Sequence, residues 1–206
     1  MNNSEDISSQ PIKALIVFRE NGDTDNLFVP ILCDAIKMAG IDVRCSTKEF
    51  WDSDTDYDII HFQWPEEVVG WTCDDPSIIR RLEERIRFFR SQGTRFVYTR
   101  HNVRPHYANA VISRAYDIIE SESDVVVHMG QFSRNEFIAR YPDSRNVVIP
   151  HHIYQYTYNE DISVERARQY LNLSQNAFIV TAFGKFRNRE EIDMVLGAFR
   201  AWNEPR

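Results

Sequence analysis

Residues 95–107 read RFVYTRHNVRPHY, and this stretch decides the fold prediction. Aromatic and β-branched residues from Phe96 to Thr99 predict a buried strand. The strand passes without a break into five polar or ionisable residues, namely Arg100, His101, Asn102, Arg104 and His106. Parallel sheets bind ligands beyond the carboxyl ends of their strands. In a parallel sheet, a buried strand with this ending would bring these polar residues to the edge where ligands bind.

The same arrangement recurs along the chain. Short strand-like runs are found at 13–18 (KALIVF), 42–45, 57–62 (YDIIHF), 124–128 and 147–149. Apolar residues at helical spacing separate them, most clearly over 77–92, where Gly93 ends the predicted helix. Strands that alternate with amphipathic helices predict an α/β fold, a Rossmann-like doubly wound parallel sheet with helices on both faces.

The pattern changes after Pro150. Residues 151–176 contain one short predicted helix and otherwise resemble a linker, whereas the apolar run 178–183 predicts a new strand followed by a helix from Arg189 to Trp202. We therefore expect four parts: a flexible tail (1–12), a Rossmann-like domain (13–150), a linker (151–176) and the truncated start of a second α/β domain (177–206).

Composition excludes several classes of protein. The net charge of −7 argues against a general nucleic-acid binder. Three widely spaced cysteines fit neither a disulfide framework nor a structural zinc site. The polar N-terminus does not resemble a signal peptide, and no apolar run reaches the ~18 residues of a membrane span. These features predict a cytoplasmic protein and leave peripheral membrane contact open. The absence of GxGxxG disfavours an ordinary NAD-binding domain.

Polar and aromatic residues at four strand ends, in 19–22, 61–67, 100–106 and 128–133, predict a cleft for a polyhydroxylated ligand. Trp64 is a candidate to stack on a sugar, and amides and carboxylates bind hydroxyls. Structural alternatives stay open: His61 as a buried hydrogen-bonded histidine, Trp64 as core packing, and Glu66 as a charge at a helix N-terminus. His101 and His106 have no usual metal-ligand spacing, so no metal site is predicted.

A second candidate site follows the predicted strand at 178–183. Gly184 is followed by Lys185, Arg187 and Arg189 at the start of a helix, a pattern suited to binding an anion or phosphate. The alternative is that these cations face solvent, and the carboxylates of Glu190 and Glu191 partly offset an anion site.

Five segments resemble, in the same order, motifs of one protein family. They are 25–28 (DNLF), 57–66 (YDIIHFQWPE), 99–106 (TRHNVRPH), 148–151 (VIPH) and 183–199 (FGKFRNREEIDMVLGAF). They are similar to motifs of the GT-B glycosyltransferases, particularly the retaining group called family 4, from about Lys13 to the end of the chain. Leu27 stands where the family has proline, Gln63 where it has a second histidine, and His152 where it has glycine.

The resemblance implies an enzyme with two Rossmann-like domains, the first binding the acceptor and the second a nucleotide-sugar. It implies transfer of a sugar to a carbohydrate or lipid-linked acceptor, as in bacterial surface polysaccharide synthesis. No cofactor or obligatory metal is implied, because the nucleotide-sugar is the substrate. The distal E-x7-E donor motif is missing, so we expect the isolated chain to lack a complete active site. The alternative is a non-catalytic α/β module that binds carbohydrate or a partner.

The resemblance also assigns residues. His101 falls at the histidine that faces the reacting sugar, so it is the catalytic candidate. Arg187 falls at the arginine of the donor diphosphate, with Gly184 and Arg189 beside it, whereas Glu190 stands at the family's usual lysine. The residues expected to bind the acceptor are Asn21, Gly22, His61, Trp64, Glu66, Asn102, Arg104 and His106.

Overall fold

The computed structural model describes residues 11–20, 26–106, 108–154, 161–184, 186 and 188–202. The chain divides into two units, Met1–Tyr154 and Gln155–Arg206. In the described part of the first unit, parallel strands form one sheet in the order β2-β1-β3-β4-β5-β6. The strands are β1 (Lys13–Val17), β2 (Asp42–Cys45), β3 (Ile59–Phe62), β4 (Arg95–Arg100), β5 (Val125–His128) and β6 (Asn146–Val148). The predicted doubly wound parallel α/β fold is confirmed.

Helices connect the strands and continue into the second unit. They are α1 (Phe28–Met38), α2 (Thr47–Asp52), α3 (Pro65–Val69), α4 (Ser77–Ser91), α5 (Ala110–Glu122), α6 (Gln131–Arg140), α7 (Val164–Tyr170) and α8 (Arg189–Ala201). We did not predict α2. α3 agrees with the alternative given for Glu66, which lies in the first turn of this helix. Within the described ranges, no helix combines the length and the apolar character needed to cross a membrane.

Side chains of β1 alternate between two apolar layers, one on each face of the sheet. Leu15 and Val17 belong to the layer that contains residues of α4 and α5, and Ile16 belongs to the layer that contains Val29 and Cys33 of α1. Leu15, Ile16 and Val17 are fully buried. Burying a side chain of this size stabilises the fold by about 1.5–3 kcal/mol. Helices on both faces thus explain why β1 is apolar at successive positions.

The second unit differs from the prediction. Its described residues form α7 and α8, but 178–183 is not a strand, so that prediction is wrong. A strand is stabilised by hydrogen bonds to a neighbouring strand, and no strand lies in the described part of this unit to supply them. α7 and α8 contain no buried residue.

Candidate functional site at the carboxyl edge of the sheet

The direction in which strands are added to the sheet reverses at β1. β2 pairs with one side of β1 and β3 with the other, and β4 follows β3. Such a reversal opens a crevice beyond the carboxyl ends of the strands, where doubly wound sheets bind ligands. Val17, Phe62 and Tyr98 are aligned across β1, β3 and β4. The residues that follow β3 and β4 therefore emerge close together.

His101 is held by contacts to three side chains. Its ring stacks on Trp64, with 3.8 Å between ring centroids and 13° between planes. It also makes a T-shaped contact with Phe28, at a centroid separation of 4.8 Å. Nε2 lies 2.9 Å from Oε1 of the fully buried Gln63. Burial, reinforced by nearby His61 and His151, lowers the pKa of His101 to about 3, so the ring is neutral at pH 7.

The side chain of Trp64 packs against His101, and little of it is exposed to the crevice. Only 8% of Trp64 is exposed. One face of the indole lies against His101, and the ring of Phe18 lies 5.8 Å away between centroids. Little of the indole is therefore free to stack on a sugar in this conformation. Acceptor binding by Trp64 stays a prediction.

Phe28 joins the start of α1 to the segment that follows β6. Its ring stacks on His152, at 4.5 Å between centroids, and contacts His151 at 5.0 Å. We name Phe28, Trp64, His101, His151 and His152 the aromatic cluster. The sequence analysis did not propose Phe28, His151 or His152 as site residues. The signal was present, because each of these residues lies in or beside a family-like motif.

His61 is a residue of β3, and its side chain contacts the neighbouring strand β4. Its Nε2 lies 2.8 Å from Oγ1 of Thr99. Burial lowers the pKa of His61 to about 4, so this ring is also neutral at pH 7. The hydrogen bond fits the alternative of a structural histidine, but His61 is half-buried and not fully buried. A role in acceptor binding stays a prediction.

Glu66 anchors the loop that follows β4. Its Oε1 accepts the backbone N–H of His106 at 3.0 Å, and its Oε2 accepts the hydroxyl of Tyr116 at 2.9 Å. Glu66 is fully buried, and burial together with this carboxylate raises the pKa of Tyr116. Glu66 therefore ties the loop containing His106 to α5. Acceptor binding by this carboxylate stays a prediction.

The remaining acceptor candidates are on the same loop or outside the described residues. Nδ2 of Asn102 lies 3.3 Å from Nδ1 of His106, whose ring is 5.5 Å from that of Trp71. Arg104 is exposed. Asn21 and Gly22 lie outside the described residues. The roles predicted for all of these residues stay predictions.

Two other strand ends, those of β4 and β5, contribute to an interior network. Arg100 is 1% exposed, and its Nε donates to Glu120 at 2.7 Å. Its other guanidinium nitrogens contact Glu136 and the carbonyl oxygen of Ser133. His128 is fully buried, with Nδ1 3.0 Å from Oγ of Ser133, and burial lowers its pKa to about 4. The sequence analysis placed these groups in the cleft, whereas their contacts hold α5 and α6 to the sheet.

The predicted donor-binding residues belong to the second unit. Gly184 has φ +129°, a value that favours glycine. Nε of Arg189 lies 3.0 Å from a carboxylate oxygen of Asp193, and Asn188 caps α8 by accepting the backbone N–H of Glu191. Arg187 lies outside the described residues. Local partners thus already engage Arg189 and the first turn of α8, and the donor site stays a prediction.

The sequence matches no protein-family model, and a search of curated proteins gives no match. In the part of the chain that the structure describes, no group of three or more His, Cys, Asp or Glu residues is arranged to hold a metal ion. The geometry of the carboxyl edge is therefore the main support for a functional proposal.

Proposed function

We propose that this chain is the acceptor-side part of a retaining GT-B glycosyltransferase and that carbohydrate binds beside the aromatic cluster. In this proposal the sugar comes from a nucleotide-sugar and passes to a carbohydrate or lipid-linked acceptor. Cationic groups and helix N-termini would stabilise the departing nucleoside diphosphate.

The proposal rests on contacts between motifs that are distant in the sequence. Gln63 and Trp64, from segment 57–66, contact His101 from segment 99–106. Phe28, from segment 25–28, contacts both His101 and His151, the last residue of segment 148–151. Four segments that resemble motifs of one family thus meet at the reversal in strand order, where doubly wound sheets bind ligands.

The neutral state of His101 limits the chemistry that it can perform. A ring with a pKa of about 3 is not in the imidazolium form at pH 7, and the neutral ring is too weak an acid to protonate a leaving group. It can orient a sugar hydroxyl through a hydrogen bond. We therefore propose that His101 positions the reacting sugar, and that stabilisation of the leaving diphosphate comes from other groups.

The test is a transfer assay on purified protein that contains this chain, with uridine-, guanosine- and cytidine-linked sugars and a panel of carbohydrate and lipid-linked acceptors. His101→Phe keeps a ring between Trp64 and Phe28 and removes both nitrogens. We expect this variant to lose transfer by about 100-fold while a thermal melt changes little. The exposed Lys48→Gln is the matched control and should behave as wild type. A parallel loss of melting temperature and activity in His101→Phe would reduce His101 to a packing role.

A second candidate is a non-catalytic module that binds carbohydrate or a partner. It is favoured by the engaged state of the predicted site, since Trp64 is covered and both oxygens of Glu66 accept hydrogen bonds. Saturable sugar binding without transfer from any donor would support this module over the enzyme.

A further inference from the structure

Gln63 is the first residue beyond β3, and its side chain is fully buried. Its amide oxygen lies 2.9 Å from Nε2 of His101. In this orientation of the amide its oxygen accepts, which places the hydrogen of the neutral imidazole on Nε2. The other ring nitrogen, Nδ1, then carries a lone pair. A reversed amide would donate to Nε2 and place that hydrogen on Nδ1.

The ring of His101 is fixed in this orientation by its neighbours. Trp64 covers one face at 3.8 Å, and Phe28 makes the T-shaped contact. Nδ1 makes no hydrogen bond to the described part of the chain, and His101 remains partly exposed. No described residue therefore donates a hydrogen bond to the lone pair on Nδ1.

The amide nitrogen of Gln63 supports a role for this residue other than stability. It is buried and has no hydrogen-bond partner among the described residues. A buried donor without an acceptor costs about 1–3 kcal/mol. An apolar residue would avoid that cost, so the interaction that glutamine provides is the one between its oxygen and His101.

We infer that Gln63 is a positioning residue that fixes His101 in the tautomer with hydrogen on Nε2, so that Nδ1 accepts a hydrogen bond from a ligand hydroxyl. The tautomer follows from contacts within the ligand-free chain. Only the identity of the ligand group rests on the proposed function.

This arrangement selects ligands by their chemistry. A lone pair on a neutral ring accepts a hydrogen bond from a hydroxyl but attracts neither a carboxylate nor a phosphate. The His101 subsite therefore suits a polyhydroxylated part of the substrate, and the anionic part of a nucleotide-sugar would bind elsewhere. A deoxy sugar that lacks the contacting hydroxyl should bind more weakly, because its binding leaves Nδ1 unpaired.

The test uses the full chain with ¹⁵N-labelled histidine and two-bond ¹H–¹⁵N correlation spectra, which distinguish the imidazole tautomers. The His101 signals are assigned from the spectrum of His101→Phe. We expect wild-type His101 to show hydrogen on Nε2. Gln63→Leu should give a mixture of tautomers. Gln63→Glu keeps an acceptor and adds a negative charge, so Nε2 should stay protonated and the titration midpoint should rise by about one to three pH units. Thermal melts of both variants report whether they fold.

A wild-type ring with hydrogen on Nδ1 would overturn the inference, as would an Nε2–H signal that Gln63→Leu leaves unchanged in a folded protein. Titration with a sugar and its deoxy analogues separates the inference from the proposed function. Weaker binding of one deoxy analogue to wild type, with no such difference in Gln63→Leu, supports the assigned ligand group. An intact Nε2–H tautomer without any sugar binding supports the positioning role and counts against the proposed function.

Discussion

Lowering the pH from 7 to 5 should strongly destabilise the first unit, because burial lowers the pKa of four of its described histidines, most strongly in His61, His101 and His128. Burial lowers the pKa of His61 and His128 to about 4 and that of His101 to about 3. In the unfolded chain each has a pKa of about 6.5. Between pH 7 and pH 5 the unfolded state therefore binds protons that the native state does not. The free energy of unfolding therefore decreases as the pH is lowered.

The magnitude follows from these pKa values. Between pH 7 and pH 5 each of these three histidines should lower the free energy of unfolding by about 2 kcal/mol, or about 6 kcal/mol together. His152, whose pKa burial also lowers, adds to this loss. Glu120 acts in the opposite direction: burial raises its pKa, so its native state takes up a proton before the unfolded state does. The net loss is therefore below the sum for the histidines. It is still a large part of the 5–15 kcal/mol by which domains are usually stable.

Urea unfolding at pH 7, 6 and 5 measures this loss. His128→Leu should reduce the loss between pH 7 and pH 5 by about 2 kcal/mol, because it removes one of the three titrating groups. Lys48→Gln is the control, since Lys48 is exposed and this change leaves every histidine in place. A free energy of unfolding that stays constant from pH 7 to pH 5, or an equal effect of the two variants on the pH dependence, would refute the reasoning.

Three further predictions concern the scaffold, and urea unfolding at pH 7 measures each. Arg100→Met should cost about 3 kcal/mol, the low end for a broken buried ion pair, because Glu120 loses one of its two arginine partners and keeps Arg140. Arg80→Met, at an exposed pair, should cost under ~1 kcal/mol, and equal costs would contradict this. Asn109→Ala should cost about 1 kcal/mol because Asn109 caps α5 by accepting the N–H of Ile112 at 2.8 Å. Asn109→Ser keeps a capping acceptor and, like alanine, loses the bond from Nδ2 to the carbonyl oxygen of Cys73. It should therefore cost less than alanine, and the reverse order would be inconsistent with the cap. Gly93→Ala should cost about 1 kcal/mol through its φ of +90° alone, since no atom lies within 4 Å of the added Cβ. Gly197→Ala, within α8, has the same free space without a positive φ and should not destabilise, so a similar cost there would disprove that cause.

The sheet could be predicted from sequence because the side chains that become buried lie at a regular spacing within each strand and helix. The apolar run at 13–18 and the helical spacing at 77–92 became β1 and α4. α2 and α3 contain six and five residues, too few to show a helical period. The run at 178–183 has strand composition, but a strand also needs a partner, which composition does not supply.

The candidate site could be predicted in position but not in detail. Parallel pairing brings the ends of β3 and β4 to one edge, so the proximity of 61–67 and 100–106 follows from the predicted fold. The stacking of His101 on Trp64 depends on side-chain packing. The contact between Glu66 and Tyr116 joins residues 50 positions apart and leaves no local pattern. The alternation of side chains along β4 could have indicated that Arg100 and His101 point to opposite faces.

We propose that a sugar binds at the carboxyl edge of the sheet, beside the aromatic cluster. The most direct measurement is a ¹H–¹⁵N titration of the labelled chain with nucleotide-sugars and oligosaccharides, following the indole N–H of Trp64 and the imidazole of His101. We expect both signals to shift saturably with at least one sugar, and we expect His101→Phe to remove the shift of the Trp64 signal. Saturable binding that leaves both signals unchanged would contradict it.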